Sequence, residues 1–202
     1  LPEFEERGVE ARPLEEALEA ADVVVDATPA GIGAKNREVY ERYGVKAIFQ
    51  GGEKADVAEM TFNSFVNYEE ARDKQFVRVP SCNTTSLIRT LWTLERLTPI
   101  REVVAAIVRR AADPVNVKRG PINAIVPETR VPSHHGPDVR TVMPHLDITT
   151  LAVKVPTTLA HVHVVHAEVE ELPSEEELRN AFAGTTRILL FKAEHGYSST
   201  AE

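Results

Sequence analysis

Apolar positions in the first part of the chain follow two periods in turn. They recur at helical spacing over 14–21 and 35–43, which predicts amphipathic helices. Short continuous apolar runs over 23–27, 45–49 and 76–79 predict buried strands. Helices that alternate with such strands are typical of βαβ units, because parallel strands need a crossover connection. We therefore expect an α/β arrangement around a parallel sheet.

The pattern changes after a predicted helix over 87–97. Ser174 and Glu177 form a capping-box sequence, which predicts the start of an acidic helix over 174–182. Long β-branched runs predict strands over 102–108, 149–155, 163–169 and 187–191. Strands joined by long connections favour a mostly antiparallel sheet with helices on one face. This part of the chain is predicted to be a second, α+β domain.

Two glycine-containing loops follow predicted strands of the first domain. Gly31-Ile32-Gly33 and Gly51-Gly52 are both expected beyond the carboxyl ends of strands, where ligands of open parallel sheets bind. The first loop has two glycines of a dinucleotide-binding fingerprint but lacks the third. A plain βα turn is therefore an equally good interpretation of this loop.

These patterns together predict the domain organisation of an α/β chain. We expect a partial Rossmann-type parallel sheet in residues 1–81, followed by an α+β catalytic domain with a mostly antiparallel sheet in residues 82–202. The chain opens inside what reads as the end of a helix and closes directly after a loop. We therefore expect it to be an excised part of a longer protein.

Composition narrows the classes of partner. The 202 residues carry a formal net charge of −8 and no basic run, which argues against nucleic acid and anionic membranes as partners. No apolar stretch approaches the roughly 20 residues that span a bilayer. A single cysteine excludes an internal disulfide and fits the reducing cytoplasm. Small molecules or proteins are the expected partners.

Cys82 is that single cysteine, and it lies between a predicted strand and a predicted helix. A helix N-terminus presents unpaired backbone N–H groups and partial positive charge, which favour a thiolate. The alternative is a buried cysteine that acts as a small hydrophobe. The polar neighbours in Ser-Cys-Asn-Thr-Thr argue against a dry apolar site. Cys82 is therefore a candidate nucleophile.

Histidines form the second informative feature. His161 and His163 should project from the same side of a strand and His166 from the other side, because side chains alternate along a strand. His134 and His135 lie in a long loop. Three interpretations stay open: a base beside the cysteine, a zinc site built from the strand pair and the loop pair, or ordinary core histidines.

Arg109 and Arg110 end a predicted strand. Guanidinium groups recognise phosphate or carboxylate through paired hydrogen bonds, so this pair is a candidate anion site. A solvated strand end is the alternative interpretation.

Five motifs, in order along the chain, resemble the archaeal type of phosphorylating glyceraldehyde-3-phosphate dehydrogenase. They are Ser-Cys-Asn-Thr-Thr at 81–85, Arg-Arg-Ala-Ala-Asp-Pro at 109–114, Gly-Pro-Ile-Asn-Ala-Ile at 120–125, Pro-Ser-His-His-Gly-Pro-Asp-Val at 132–139 and Val-Pro-Thr-Thr-Leu at 155–159. The first motif alone is shared with related semialdehyde dehydrogenases. Jointly the five motifs favour the triose-phosphate enzyme.

The resemblance assigns roles to particular residues. It implies that Cys82 is the nucleophile and that His161 is the catalytic histidine that accepts a proton. It implies contacts to the triose phosphate from Ser81, Asn83, His135 and Gly136, and the polar loop adds His134 as a candidate. It also implies contacts to the cofactor from Gly52 and Arg110. No metal is expected.

The same resemblance implies a reaction and an assembly. Cys82 adds to the aldehyde of a triose phosphate, NAD or NADP takes the hydride, and inorganic phosphate releases the acyl group as 1,3-bisphosphoglycerate. A homotetramer is implied for the intact protein. The first Rossmann strand and its glycine-rich loop are absent from this sequence, so we expect weak or no cofactor binding by this chain alone.

Other functions remain open from the sequence. A related semialdehyde dehydrogenase, such as an aspartate-semialdehyde dehydrogenase, would keep the cysteine and the histidine but take a carboxylate substrate. A zinc hydrolase would use His134, His135, His161 and His163. A non-catalytic interaction domain would not need the thiol.

Overall fold

The computed structural model describes residues 2–110 and 123–202. The chain divides into two compact units, Leu1–Ser81 and Cys82–Glu202. The parts of the sequence motifs at 111–114 and 120–122 lie outside the described residues. None of the helices within the described ranges has the length and apolar character needed to span a bilayer.

The first unit is built on a parallel sheet. Its strands are β1 (Val23–Asp26), β2 (Lys46–Phe49), β3 (Met60–Thr61) and β4 (Phe76–Arg78), in the order β1-β2-β4-β3. Its helices are α1 (Pro2–Glu5), α2 (Leu14–Ala20), α3 (Gly33–Tyr43) and α4 (Tyr68–Ala71), with a 3₁₀ turn at Ala55–Val57. Each pair of neighbouring strands is parallel. The βαβ prediction is confirmed.

A compact aromatic core joins α3 to this sheet. The rings of Tyr40 and Phe76 both lie about 6 Å from that of Phe49, which is fully buried. Helix α3 ends at Gly44, whose φ of 67° is left-handed and suits glycine at a helix C-terminus. The short strand β3 was not predicted, because two residues are too few to show a period.

The second unit is a mixed sheet with helices. Its strands are β5 (Ile100–Arg110), β6 (Val126–Pro127), β7 (Ile148–Val155) and β8 (Val162–Val169), in the order β6-β7-β5-β8. Its helices are α5 (Cys82–Glu95), α6 (His135–Arg140) and α7 (Glu175–Ala183), with a 3₁₀ turn at Ala193–His195. The capping box of Ser174 and Glu177 forms at the start of α7.

Strand β5 runs antiparallel to β8 and parallel to β7, and β6 runs antiparallel to β7. The α+β prediction with a mostly antiparallel sheet is therefore confirmed, and the central parallel pair is an addition to it. Val103, Ala105 and Ile107 alternate along β5 as buried residues. They form one face of the sheet, while the intervening residues of β5 form the other.

The predicted strand over 187–191 is wrong. These residues have no strand partner among the described residues, and Leu189 is 78% and Phe191 is 60% exposed. Phe191 instead packs edge-on against Tyr197, with ring centroids 4.7 Å apart. An apolar, β-branched run forms a strand only where another strand offers hydrogen bonds.

Candidate active site

Cys82 is the first residue of α5, and its side chain is exposed. Its Sγ lies 3.2 Å from Nε2 of His161. The predicted helix over 87–97 therefore begins five residues earlier than its apolar pattern indicated. The thiol accordingly sits in the first turn, where backbone N–H groups lack helical partners. The positive end of the helix and the imidazole of His161 therefore meet at this sulfur.

His161 lies just before β8 and beyond the end of its ladder with β5. The backbone N–H of Arg110 donates a hydrogen bond to Nδ1 of His161, with an N–N distance of 3.0 Å. A neutral imidazole has one N–H and one acceptor nitrogen. Because Nδ1 accepts from Arg110, the proton of the neutral ring is on Nε2. That N–H faces the sulfur of Cys82.

This contact changes the expected role of His161. To accept a proton on Nε2, the neutral ring would have to carry its own proton on Nδ1. That N–H would then face the backbone N–H of Arg110, and two donors cannot form a hydrogen bond with each other. Burial lowers the pKa of His161 below its ordinary value, and the nearby guanidinium of Arg110 lowers it further. The neutral ring is thus favoured at neutral pH. The geometry favours a hydrogen-bond donor rather than the proton acceptor that the sequence suggested.

His163 contacts the residue that follows Cys82. Its Nε2 lies 2.8 Å from Oδ1 of Asn83, a side chain that is only 2% exposed. Burial lowers the pKa of His163 too. His163 faces inward while His166 is exposed on the opposite side of β8, which confirms the predicted alternation.

A cavity of about 510 Å³ opens beside Cys82. Its walls are formed by Cys82, Ser86, Thr90, His161, His163 and Val165. The sulfur of Cys82 and the two histidines therefore share a space large enough for a small metabolite. All six lining residues belong to the second unit.

A second polar group surrounds His135, which is completely buried. Its Nδ1 lies 3.0 Å from Oγ of Ser133, while its Nε2 has no hydrogen-bond partner within the described part of the chain. Burial lowers the pKa of His135 to about 3. Nε of Arg109 is likewise buried and without a partner there. Buried polar atoms without hydrogen bonds reduce the stability of the fold, unless a bound ligand supplies the missing partners.

Glu128 lies between His134 and Arg109 beside this buried histidine. Glu128 Oε1 lies 3.1 Å from Nδ1 of His134 and Glu128 Oε2 lies 3.7 Å from Nη1 of Arg109. Potential metal-ligand atoms of Glu128, His134 and His135 lie within 4.8 Å of one another. The positive guanidinium of Arg109 would repel a cation, and its Nε–H group can only donate a hydrogen bond. An anion therefore suits the group better than a metal ion does.

The zinc interpretation required loop and strand histidines in a single site. Within residues 2–110 and 123–202, the one group of three or more potential ligands is Glu128, His134 and His135, and it includes neither His161 nor His163. The four-histidine zinc site is therefore not assembled.

The remaining predicted residues have separate positions. Gly136 donates its N–H to Oγ1 of Thr150, and a Cβ there would come within 3.1 Å of that oxygen, so this glycine allows α6 to pack closely. Ser81 is the last residue of the first unit. Gly52 lies in the first unit with a left-handed φ of 89°.

Some supporting residues were missed by the sequence analysis. Glu128 contacts His134 and Ser133 contacts His135 through their side chains, and the hydroxyl of Thr150 in turn contacts that of Ser133. They lie on three different parts of the chain and follow no period, so no sequence signal marks them as a group.

The family model for the C-terminal domain of glyceraldehyde 3-phosphate dehydrogenase matches residues 81–199. The chain belongs to this family. Its sequence is 55% identical over 204 residues to the glyceraldehyde-3-phosphate dehydrogenase of Hyperthermus butylicus, and 55% identical over 203 residues to that of Thermococcus kodakarensis. Both matches cover 100% of this chain and 60% of the relative. The resemblance drawn from the five motifs is thereby confirmed.

The fold of this glyceraldehyde-3-phosphate dehydrogenase family member also occurs in a related group of enzymes. The crystal structure of aspartate semialdehyde dehydrogenase II from Vibrio cholerae matches with a TM-score of 0.72 at 14% identity. The match covers 86% of this chain and 63% of that one. At this identity the likeness concerns the fold alone. The predicted fold class is consistent with it.

Proposed function

We propose that the protein containing this chain oxidises D-glyceraldehyde 3-phosphate to 1,3-bisphosphoglycerate with NAD or NADP and inorganic phosphate. The observation that carries this proposal is the pairing of Cys82 Sγ with His161 Nε2, 3.2 Å apart beside an open cavity. Family membership supports the same activity. The chain spans about 60% of its relatives' length, so the proposal concerns the whole protein.

The first step is attack by the Cys82 thiolate on the aldehyde carbon. A C–S bond forms and the carbonyl oxygen becomes an oxyanion. The N–H on His161 Nε2 turns from the sulfur to this oxygen, and backbone N–H groups in the first turn of α5 add to its stabilisation. Because a thiolate rather than a thiol attacks, no base is needed in this step.

The second step leaves a thioester on Cys82. The oxyanion reforms a C=O bond as the carbon loses its hydride, so the acyl carbon remains bound to sulfur. Inorganic phosphate then adds to the thioester carbon, and the C–S bond breaks to return the thiolate. The same donors stabilise the oxyanion in both steps.

The group around His135 is proposed to hold a phosphate. Arg109 Nε and His135 Nε2 are buried without partners among the described residues, and His134 lies beside them. Arginine and histidine nitrogens are common donors to phosphate oxygens. We propose Arg109 as a phosphate contact in addition to His134, His135 and Gly136, the loop residues named from the sequence. Ser81 and Asn83 remain proposed contacts to the triose.

The nicotinamide cofactor, when bound, supplies the hydride acceptor. Gly52 follows β2, and a hypothetical Cβ there would be 3.8 Å from Cβ of Ala30, while one at Gly31 would have nothing within 4 Å. Loops without side chains at the carboxyl edge of a parallel sheet suit a dinucleotide. We propose Gly52 as a contact in the first unit. In the second unit, we propose that Arg110, at the end of β5, contacts the cofactor through its guanidinium.

A homotetramer is proposed for the intact protein. Val104, Leu151, Val162 and Val164 lie on one face of the second sheet and are between 36% and 65% exposed. Contiguous exposed apolar patches of this kind mark interaction surfaces. We also propose the cytoplasm as the location, because it keeps an exposed thiol such as Cys82 reduced.

The proposed reaction is tested by comparing two aldehydes in the full-length protein. We expect NADH or NADPH formation with glyceraldehyde 3-phosphate, and we expect sustained turnover only when inorganic phosphate is present. Aspartate semialdehyde is the alternative substrate, because the matched fold also carries that chemistry in Vibrio cholerae. Higher kcat/KM for aspartate semialdehyde, measured by nicotinamide absorbance, would contradict the proposal. Omitting phosphate serves as the internal control.

A further inference from the structure

His163 touches the second residue of the nucleophile helix rather than the nucleophile. Its Nε2 lies 2.8 Å from Oδ1 of Asn83. It projects from β8 on the same side as His161, two residues earlier, and both histidines line the cavity beside Cys82. None of the roles assigned above uses His163.

The contact fixes the direction of the Asn83 carboxamide. A carbonyl oxygen only accepts hydrogen bonds, so the proton of His163 is on Nε2 and is donated to Oδ1. The nitrogen of the carboxamide then points away from β8. Asn83 itself is almost completely buried, with 2% of its surface exposed. The hydrogen bond from His163 therefore decides which way the two amide protons of Asn83 point.

We propose that His163 is a positioning residue, which holds the carboxamide of Asn83 so that its NH₂ group faces the substrate. This inference rests on the proposed function, in which Asn83 contacts the triose. Without His163, the carboxamide could rotate by 180° and present its oxygen to the substrate instead of its two donors. A substrate with oxygen atoms near its reacting carbon would then lose a hydrogen bond and meet a repulsive oxygen.

Two substitutions separate positioning from packing. His163→Leu fills a similar space but removes the donor, and we expect kcat/KM of the full-length protein to fall about tenfold, the value of one well-placed hydrogen bond. His163→Gln keeps an N–H at nearly the position of Nε2, so we expect a loss of less than about threefold. His145→Leu is the control variant, because His145 is exposed and lies outside both the cavity and the sheet face proposed for assembly, and its kcat/KM should equal that of the wild type.

A double-mutant cycle with Asn83→Ala then tests the coupling. Once the carboxamide is gone, His163→Leu should lower kcat/KM no further. The free energy of unfolding of this chain, measured for the same four proteins in urea, shows whether the hydrogen bond forms at all. That measurement does not depend on the reaction, so it separates failure of this inference from failure of the proposed function.

The outcomes are distinct. We expect the His163 and Asn83 substitutions to be coupled both in kcat/KM and in the free energy of unfolding. We also expect His163→Gln to retain more of the wild-type kcat/KM than His163→Leu does. Coupling in unfolding alone, with additive losses in kcat/KM, would show a merely structural hydrogen bond and overturn the inference. Absence of coupling in both measurements would overturn it as well.

Discussion

Replacement of Cys82 by serine is expected to lower the rate of aldehyde oxidation by the full-length protein by about 10⁴-fold or more. A serine hydroxyl stays protonated at neutral pH and needs a base to attack. The contact from the backbone N–H of Arg110 to Nδ1 of His161 favours a neutral ring with its proton on Nε2, and such a ring is a poor base for the serine. The rate is measured as the first turnover of nicotinamide absorbance at saturating substrate.

Folding must be unchanged for that result to concern chemistry. Serine only replaces the sulfur by a smaller oxygen, and the side chain of Cys82 is exposed, so the circular dichroism and melting temperature of the serine variant should match the wild type. Cys82→Ala is a second variant, which lacks any nucleophile and should be as inactive as the serine variant. A serine variant that keeps a tenth of the wild-type rate would refute the assignment of Cys82.

His161→Ala is expected to cost about 10²- to 10⁴-fold in rate, whether the histidine acts as a base or as a donor. His161→Gln distinguishes the two roles. The glutamine amide carries an N–H at about the position of Nε2, so it can hydrogen-bond the oxyanion but cannot accept a proton. We expect the glutamine variant to retain at least about a tenth of the wild-type rate. If the glutamine variant were as slow as the alanine variant, His161 would act as the base that the sequence suggested.

The pH dependence of the same pair adds a second criterion. Burial and Arg110 lower the pKa of His161, so the folded ring stays neutral as the pH falls through about 6.5, the ordinary histidine value. The ratio of wild-type to glutamine-variant rates should therefore be constant between about pH 6 and pH 8. Groups that titrate in both proteins change both rates equally, so their effect cancels in the ratio. A ratio that falls at the acidic end of this range would contradict the proposal that His161 acts as a neutral hydrogen-bond donor.

Much of the fold could be predicted because its elements carry clear periods. Helices α2 and α3 and strands β1, β2 and β4 of the first unit follow runs of apolar residues that are long enough to show a period. The run over 187–191 shows the limit, because its β-branched and apolar residues have no neighbouring strand among the described residues. Strand formation depends on such a partner, which local sequence does not specify. The parallel pairing of β5 with β7 was missed for the same reason.

The site was predictable where its residues lie close together in sequence. Cys82 at a helix start, and two histidines on one side of a strand, follow from local spacing. The tautomer of His161 does not, because it depends on the backbone N–H of Arg110, 51 residues earlier. The pairing of His163 with Asn83 likewise spans 80 residues. Hydrogen bonds between distant segments are set by packing rather than by pattern.

Trapping the acyl group on Cys82 tests the central claim most directly. The full-length protein is mixed with nicotinamide cofactor and glyceraldehyde 3-phosphate without inorganic phosphate, quenched in acid and digested for mass spectrometry. We expect a 3-phosphoglyceroyl group on the peptide that contains Cys82, and we expect it to disappear when phosphate is added before the quench. Reduced cofactor formed in amounts equal to the enzyme, without any adduct on that peptide, would contradict the thioester mechanism.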